Sequence, residues 1–523
     1  MSEIELKFLL DEPTAKRLWT RVRASQLTSA APVTKLLRSV YLDTAEHALR
    51  RAGIALRLRR DGRRWVQTVK TGRNIHGGLS QATELESPAP GGRVNLDAIP
   101  DQAVREDIVQ RINGGELHQV CETLIKRTAG EVALQDGTRV ELAVDVGEIR
   151  ADGRSAELRE AEIELVEGSP AKLFEIARAL FPEGGLSFSR LSKSARGYML
   201  AEEGYIEPPL RPRNAETVAL EPEQMAEKAA RDVLRECVDQ VAANVVVVTR
   251  LDDPEGPHQL RVGLRRLRSA FAVFGAVLDS PEMERLKGEA RWLGQEVGAL
   301  RDLDVVAGEI ARREAQIHPD EPSLTQLADA LEQAAADRRR RLTTLLGGER
   351  AQTLVLDLVR FVETRGWLVP SDFEQTARLA GSVAELATAS LDKAWKKTRK
   401  HARDIETLNA EQRHELRKEL KKLRYAVEFF APLYSAKRIE LFLKRLKKLQ
   451  DVFGELNDAA TVRTMFAGPD APPLDGPGTD ASRQRAIGWM IGASQARAER
   501  GWTGAKQLWK ELDGTRPFWR GGD

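Results

Sequence analysis

The chain has 523 residues, 41% apolar and 31% charged, with 81 Lys and Arg against 79 Asp and Glu. That length exceeds one ordinary core, and the apolar share excludes a disordered chain. A net charge of +2 excludes polyanion binding by bulk charge, and two cysteines, Cys121 and Cys237, exclude a cysteine-built zinc site or disulfide framework.

The balance holds along the chain. Residues 1–210 carry 30 basic and 31 acidic side chains, and residues 211–523 carry 51 and 48. Any basic site is therefore a matter of local patterning. No basic-then-apolar leader opens the sequence, and the longest apolar run, "VAANVVVV", is too short to cross a bilayer. A soluble, cytoplasmic protein with no membrane partner is expected.

Residues 1–203 read as short strands with period-two alternation. The stretch "EIELKF" puts Glu3, Glu5 and Lys7 on one face and Ile4, Leu6 and Phe8 on the other. "SVYLDT", "IALRLRR", "RWVQTVKT", "ATELES", "LIKRTAGEVAL", "RVELAVDVGEIR" and "EAEIELVEG" continue the pattern, bounded by Gly, Asp or Pro. "EPTAKRLWTRVRA" and "SPAKLFEIARALF" read as helices. Nearly every strand is charged on one face: Arg57 and Arg59, Lys70, Glu84 and Glu86, Arg127, Asp145, then Glu162 and Glu164, with Lys193 following the late helix. An ordinary sheet with a wet charged face is one reading. The number of same-face charges favours another, a closed barrel with its apolar faces outward and its charges inward. About eight strands enclose room for a small ligand. Buried charges persist only when paired or bound to ions, so a mixed lining suits a polyanion with a divalent metal.

Residues 204–222, "GYIEPPLRPRNAETVALEP", lack periodicity and read as a linker. Residues 223–512 read as long helices. "AGPDAPPLDGPGTDAS", residues 467–482, reads as a loop, and a last helix near 483–511 carries Trp489, Trp502 and Trp509 as packing residues.

The helical half is a duplication. "HQLRVGLRRLRSAFAVF" (258–274) repeats as "HELRKELKKLRYAVEFF" (414–430). His258, Arg261, Arg265 and Arg268 pair with His414, Arg417, Lys421 and Arg424. The same offset sets "LGQEVGALRDLD" (293–304) over "LQDVFGELNDAA" (449–460). In each helix the His and basic residues form one stripe beside the apolar seam. Residues 414–448 hold 11 Lys and Arg against 4 Glu. A single basic stripe is usually a solvated face, but a stripe repeated residue by residue points to an anion groove. Nucleic acid is the natural competitor, yet aromatics make up only 5% of the chain and do not interleave with the basic residues. An all-phosphate polymer needs no base stacking.

On these motifs residues 1–200 resemble the CYTH family, the triphosphate tunnel metalloenzymes. The signature comprises E-x-E-x-K, the "ALRLR" arginines, the "TVK" lysine, "ELE", "VDVG", "EIEL" and "SKSARGY". The resemblance implies an eight-stranded antiparallel tunnel that cleaves or binds triphosphates with Mg²⁺ or Mn²⁺. Lys7, Arg57, Arg59, Lys70, Arg127 and Lys193 would grip phosphates. Glu3, Glu5, Asp145, Glu162 and Glu164 would hold metal, with Glu84 and Glu86 orienting basic groups or water. Family members often carry Arg where this chain has Ala82. Residues 220–510 resemble the CHAD domain, which implies a helical repeat that binds inorganic polyphosphate.

The expectation is thus an α+β multidomain chain. An N-terminal eight-stranded antiparallel β tunnel barrel with flanking helices (1–203) and a linker (204–222) precede an all-α, duplicated helical-bundle domain (223–512). The tunnel would hydrolyse inorganic triphosphate or short polyphosphate, and the bundle would bind polyphosphate, placing the enzyme on polyphosphate granules. The alternatives are a non-catalytic polyphosphate scaffold, or a tunnel acting on thiamine triphosphate or a nucleotide, cyclase chemistry included.

Overall fold

The computed structural model describes residues 2–25, 27–29, 31–467 and 480–520. Most of the loop expected at 467–482 lies outside them. The described chain divides into two units, Met1–Leu210 with Gly348–Arg365, and Arg211–Gly347 with Gly366–Asp523.

The first unit is built on nine strands: β1 (Ser2–Leu9), β2 (Thr28–Ser29), β3 (Val33–Asp43), β4 (Ala55–Asp61), β5 (Arg64–His76), β6 (Leu79–Pro88), β7 (His118–Ala133), β8 (Arg139–Ala151) and β9 (Arg154–Glu167). All pairings are antiparallel, and eight strands close a ring in the order β1, β6, β5, β4, β3, β7, β8, β9 and back to β1. The two-residue β2 only extends β7. Closure leaves the eight ring strands without a free edge.

The alternation decides which face turns inward. Leu6 and Phe8 are fully buried on the outer face, where Phe8 meets the rings of Phe181 and Phe188 at 5.2 and 5.3 Å. Glu3, Glu5 and Lys7 take the inner face. The helix Lys193–Glu203 was not foreseen. Ser192 caps it, accepting from the Ala195 amide at 3.1 Å. Gly197 lets it lie hard against β7, since a Cβ there would stand 2.0 Å from the Cys121 sulfur. A second surprise is the helix Glu349–Glu363, which lies within the helical half of the sequence but groups with the barrel unit. Asp357 pairs with Arg178, Gln352 accepts from the Leu186 amide at 3.1 Å, and Val359 packs on Gly77.

The second unit carries the duplication as two helical triplets. The first comprises Ala226–Arg250, Glu255–Val273 and Pro281–Asp304, and the second Val383–His401, Ala410–Phe430 and Ala436–Ala467. Leu260, Leu264, Leu267, Phe271 and Phe274 are buried, and so are their counterparts Leu416, Leu420, Leu423, Val427 and Phe430. The equivalent rings of Phe274 and Phe430 meet at 5.5 Å. Much of the expected linker is docked. Arg213 and Asn244 exchange hydrogen bonds of 3.0 and 2.9 Å, and Glu236 accepts from the Glu216 amide at 2.7 Å. The expected last helix is two, Asp480–Trp502 and Ala505–Asp513, with Trp509 buried against Trp395 and Trp489 40% exposed.

Candidate functional site

The barrel interior is a cavity of about 800 Å³ lined by eight carboxylate and seven cationic side chains. All thirteen tunnel residues singled out from the sequence line it: Glu3, Glu5, Lys7, Arg57, Arg59, Lys70, Glu84, Glu86, Arg127, Asp145, Glu162, Glu164 and Lys193. Strand parity delivers twelve of them, because inward positions on β1, β4, β5, β6, β7, β8 and β9 recur every second residue, and Lys193 comes from the start of the helix Lys193–Glu203.

Two ion-pair networks cross the cavity. In one, Lys70 contacts Glu3 at 2.6 Å and Glu84 at 2.9 Å, and Arg57 donates to Glu84 at 3.2 Å and to the Thr68 hydroxyl at 3.1 Å. Burial alone would raise the Glu84 carboxyl, but Lys70 and Arg57 outweigh it and bring it down to about 2. Glu86 accepts from Thr68 and lies 3.8 Å from Arg57. In the other network Arg127 forks onto Asp145 at 2.8 and 2.7 Å and also reaches Glu162. Lys7 contacts Glu162 at 2.6 Å, and Lys193 contacts Glu162 at 2.6 Å and Asp145 at 2.9 Å. Despite burial, Lys193, Lys7 and Arg127 hold Glu162 well below the ordinary carboxylate range.

The charges least well compensated separate into two poles. Arg59 forms no ion pair among the described residues. Burial, then the neighbouring Arg57 and Arg127, bring it down to about 10. At the opposite pole, burial and the charges of Glu3 and Glu5 push Glu164 up to about 7. Glu3 is likewise raised by burial and by Glu5. Glu5 is 2% exposed, and its Oε1 lacks a well-formed hydrogen bond although Lys7 stands 2.9 Å away. A buried carboxylate oxygen with no well-formed hydrogen bond, beside two carboxyls that resist ionisation, fits a bound cation. Among the described residues, no three acidic, imidazole or thiol groups are set closely enough to hold a metal as they stand. Asp145 and Glu162, expected as metal ligands, are both paired with cations here, as Glu3 is with Lys70.

Sequence reasoning missed three lining or supporting groups. Glu141 shares inward parity with Asp145, and Glu160 shares it with Glu162 and Glu164, so both were visible in principle. Glu160 is fully buried and holds Lys193 at 2.9 Å from behind. Arg73 was hidden by a bulge. The β5–β6 register slips between Thr71 and Asn74, so Gly72 and Arg73 stand opposite Ala82, and Arg73 reaches the cavity against strict alternation. A cation therefore enters from β5 across from the position where β6 carries Ala82.

In the helical unit the two basic stripes meet in part. Arg261, Arg265, Arg417 and Lys421 share one cluster. Burial first, then Arg265, Arg417 and Arg261, depress Lys421 to about 6, and burial with Arg265 and Arg261 brings Arg417 to about 10. Arg261 pairs with Asp302 at 2.8 Å, and Asp458, the equivalent of Asp302 in the second repeat, acts on Arg417. Arg265 donates to the Tyr425 hydroxyl at 2.5 Å. His258 is held below its ordinary value by burial and by Arg301, with its Nδ1 buried and without a hydrogen bond. His414 is lowered by burial, then by Lys418 and Arg417. Two members stand apart. Arg268 feels burial and Arg291, and Arg424 is paired with Glu428 at 2.7 Å.

A closed antiparallel barrel lined by paired charges, followed by a duplicated helical unit with a cationic cluster, defines a tunnel protein with a helical annex. Residues 1–198 match the CYTH domain and residues 232–467 the CHAD domain, so in this chain a CYTH domain precedes a CHAD domain. An inorganic triphosphatase of Haemophilus influenzae is 26% identical over 208 residues, 39% of this chain. That match spans little more than half, 57%, of the relative's length. An uncharacterised protein of Mycobacterium tuberculosis is 26% identical over 487 residues, covering 88% of this chain and 87% of the relative. The crystal structure of a CHAD domain from the plant Ricinus communis is 28% identical, covers 58% of this chain and 98% of its own, and has a TM-score of 0.49.

Proposed function

We propose that the barrel hydrolyses inorganic triphosphate or short polyphosphate with a divalent cation, Mg²⁺ or Mn²⁺, and that the helical unit binds polyphosphate. The observation that carries this reading is the lining of the cavity. Fifteen of its residues are charged, and Tyr41 is the one aromatic among them, so it offers phosphate partners throughout and little for a base to stack on.

The residues divide the work by their pairing. Lys7, Arg57, Arg59, Lys70, Arg127 and Lys193 bind and orient phosphate oxygens, joined by Arg73. Asp145 and Glu162 aim Arg127, Lys7 and Lys193, and Glu84 aims Lys70 and Arg57. Glu86 holds Thr68 beside them. Glu3, Glu5 and Glu164 would hold the cation. Bound there, it supplies Lewis acidity and positive charge against the reacting phosphate. The paired cations offset charge as it grows on the leaving phosphate, and the closed barrel limits water around them. In the helical unit, Arg261, Arg265, Arg417 and Lys421 repel one another, and a polyanion relieves that repulsion. Such binding would bring the enzyme to polyphosphate granules.

The absence of a ready three-carboxylate cluster among the described residues favours a second reading, a non-catalytic polyphosphate scaffold. Phosphate release from tripolyphosphate separates the two. Release with Mg²⁺ or Mn²⁺ that stops with EDTA is expected. No release from folded protein with either metal would overturn the hydrolase reading in favour of the scaffold.

A further inference from the structure

Behind the cavity wall lies a second charge network that the proposed chemistry does not use. Arg196 is fully buried, one turn along the helix from Lys193. It donates to Glu160 at 3.2 Å, to the Ser189 hydroxyl at 2.9 Å and to the Leu191 carbonyl at 2.6 Å. Ser189 donates in turn to Glu160 at 2.6 Å. Glu160, also fully buried, uses its other oxygen to hold Lys193 at 2.9 Å. The remaining face of the Arg196 guanidinium is taken by Glu207, at 2.8 Å from Nε.

Glu207 is not part of the barrel. It lies just past the Lys193–Glu203 helix, where the chain leaves toward the helical half. Ile206 beside it packs on the core cluster of Tyr41, Cys121, Ile125 and Leu200. The next anchored residue is Arg213, held by Asn244 and Glu236. Only "PPLRP", Pro208–Pro212, separates the two anchors, and three of its five residues are proline. Such a segment is short and locally stiff.

We infer that Glu207 is a positioning residue for Lys193, acting through Arg196 and Glu160, so that the footing of the connector and the phosphate-gripping lysine move as one unit. The charge balance gives the direction. With Glu207 present, Arg196 shares its charge between two carboxylates. Without it, Arg196 leans on Glu160 alone and draws that carboxylate away from Lys193. This deepens the triphosphatase reading and rests on it for the role of Lys193.

The full-length protein tests it in two ways. Hydrogen–deuterium exchange needs no substrate. In Glu207→Ala, amides over residues 189–196 are expected to exchange about tenfold faster, and unchanged exchange would overturn the inference. Calorimetric binding of inorganic tripolyphosphate in EDTA supplies a double-mutant cycle. Glu207→Ala should weaken binding about tenfold in the wild-type background and less than twofold in a Lys193→Ala background. Equal weakening in both would mean a merely structural role and sink the assignment. Should the alanine variant melt below the assay temperature, Glu207→Gln takes its place, and the same two results support or overturn the inference. A wild-type protein that bound no tripolyphosphate would count against the proposed function, while the exchange result would still decide the clamp.

Discussion

Lys421 supplies the sharpest prediction. Its amine sits on the helix Ala410–Phe430, facing Arg261 and Arg265 of Glu255–Val273, with Arg417 on its own helix and Asp458 on Ala436–Ala467. Burial and the three arginines bring it to about 6, against a usual value near 10.5. At neutral pH the ligand-free groove therefore carries a largely neutral lysine. A polyanion restores the proton, so polyphosphate binding should take up about one proton per site. Between the free and bound values, affinity then falls up to about tenfold for each pH unit gained. In the ligand-free chain His258 and His414 are held below their ordinary value, so the window from pH 7 to pH 9 bears mainly on this lysine. Titration calorimetry in two buffers of different ionisation enthalpy reads affinity and proton uptake together. Lys421→Met should remove both the slope and the uptake. Stability moves in the opposite direction. The unfolded chain binds the proton that the folded ligand-free chain refuses, so thermal stability without ligand should rise from pH 7 to pH 9. Flat polyphosphate affinity across that window, with no proton uptake, would refute the reasoning.

At the acidic pole of the tunnel, Glu164 at about 7 predicts that protons compete with the divalent cation. Apparent Mg²⁺ or Mn²⁺ affinity should drop about tenfold from pH 8 to pH 6, and Glu164→Gln should weaken it at pH 8 and flatten the dependence. Metal titrations of tripolyphosphate turnover at the two pH values check this. Arg73→Ala should raise KM for tripolyphosphate about three- to tenfold with a smaller effect on kcat, as expected for one lost charge-assisted contact. Steady-state kinetics on that variant decides whether the bulge delivers a working cation.

The charged interior was legible in the sequence because closure of the barrel converts period two into inside and outside, and twelve charges on seven strands obey that parity. What parity does not carry is pairing. Asp145 and Glu162 read the same as Glu5 and Glu164 along the chain, yet the first two are consumed by Arg127, Lys7 and Lys193 while the Glu5 Oε1 stands without a well-formed hydrogen bond. That distinction depends on partners such as Lys7 and Glu162, more than 150 residues apart. Arg73 was illegible for a local reason, since a bulge breaks the rule used to read the rest. The duplication was legible to the residue in the helical core, from Leu260 and Leu416 to Phe274 and Phe430. The cationic stripe was less so. Helical phase alone does not say that Arg424 would turn to Glu428, or that Arg268 would lie beside Arg291. The helix Glu349–Glu363 shows the same limit at larger scale. Its apolar positions announce burial, but nothing in their spacing names the barrel as the partner.

The pairing also explains how so many charges persist inside one barrel. Burying an isolated ion costs several kcal/mol, and a buried pair is tolerated when its geometry is good and its remaining donors and acceptors are met. For most of its charges the resting cavity meets that condition internally. Lys70 has Glu3 and Glu84, Arg127 has Asp145 and Glu162, and Lys193 has Asp145, Glu160 and Glu162. Apart from Arg59, a triphosphate entering this lattice would meet cations that are for the most part already paired. It competes with carboxylates for them, and every carboxylate it displaces needs a new positive partner. A divalent cation is the partner that oxygen ligands prefer. On the proposed function, substrate and metal would solve each other's desolvation problem, the phosphates taking the cations and the metal taking the freed carboxylates. A site of this kind would bind each component more tightly in the presence of the other, because together they leave the fewest buried charges unmatched.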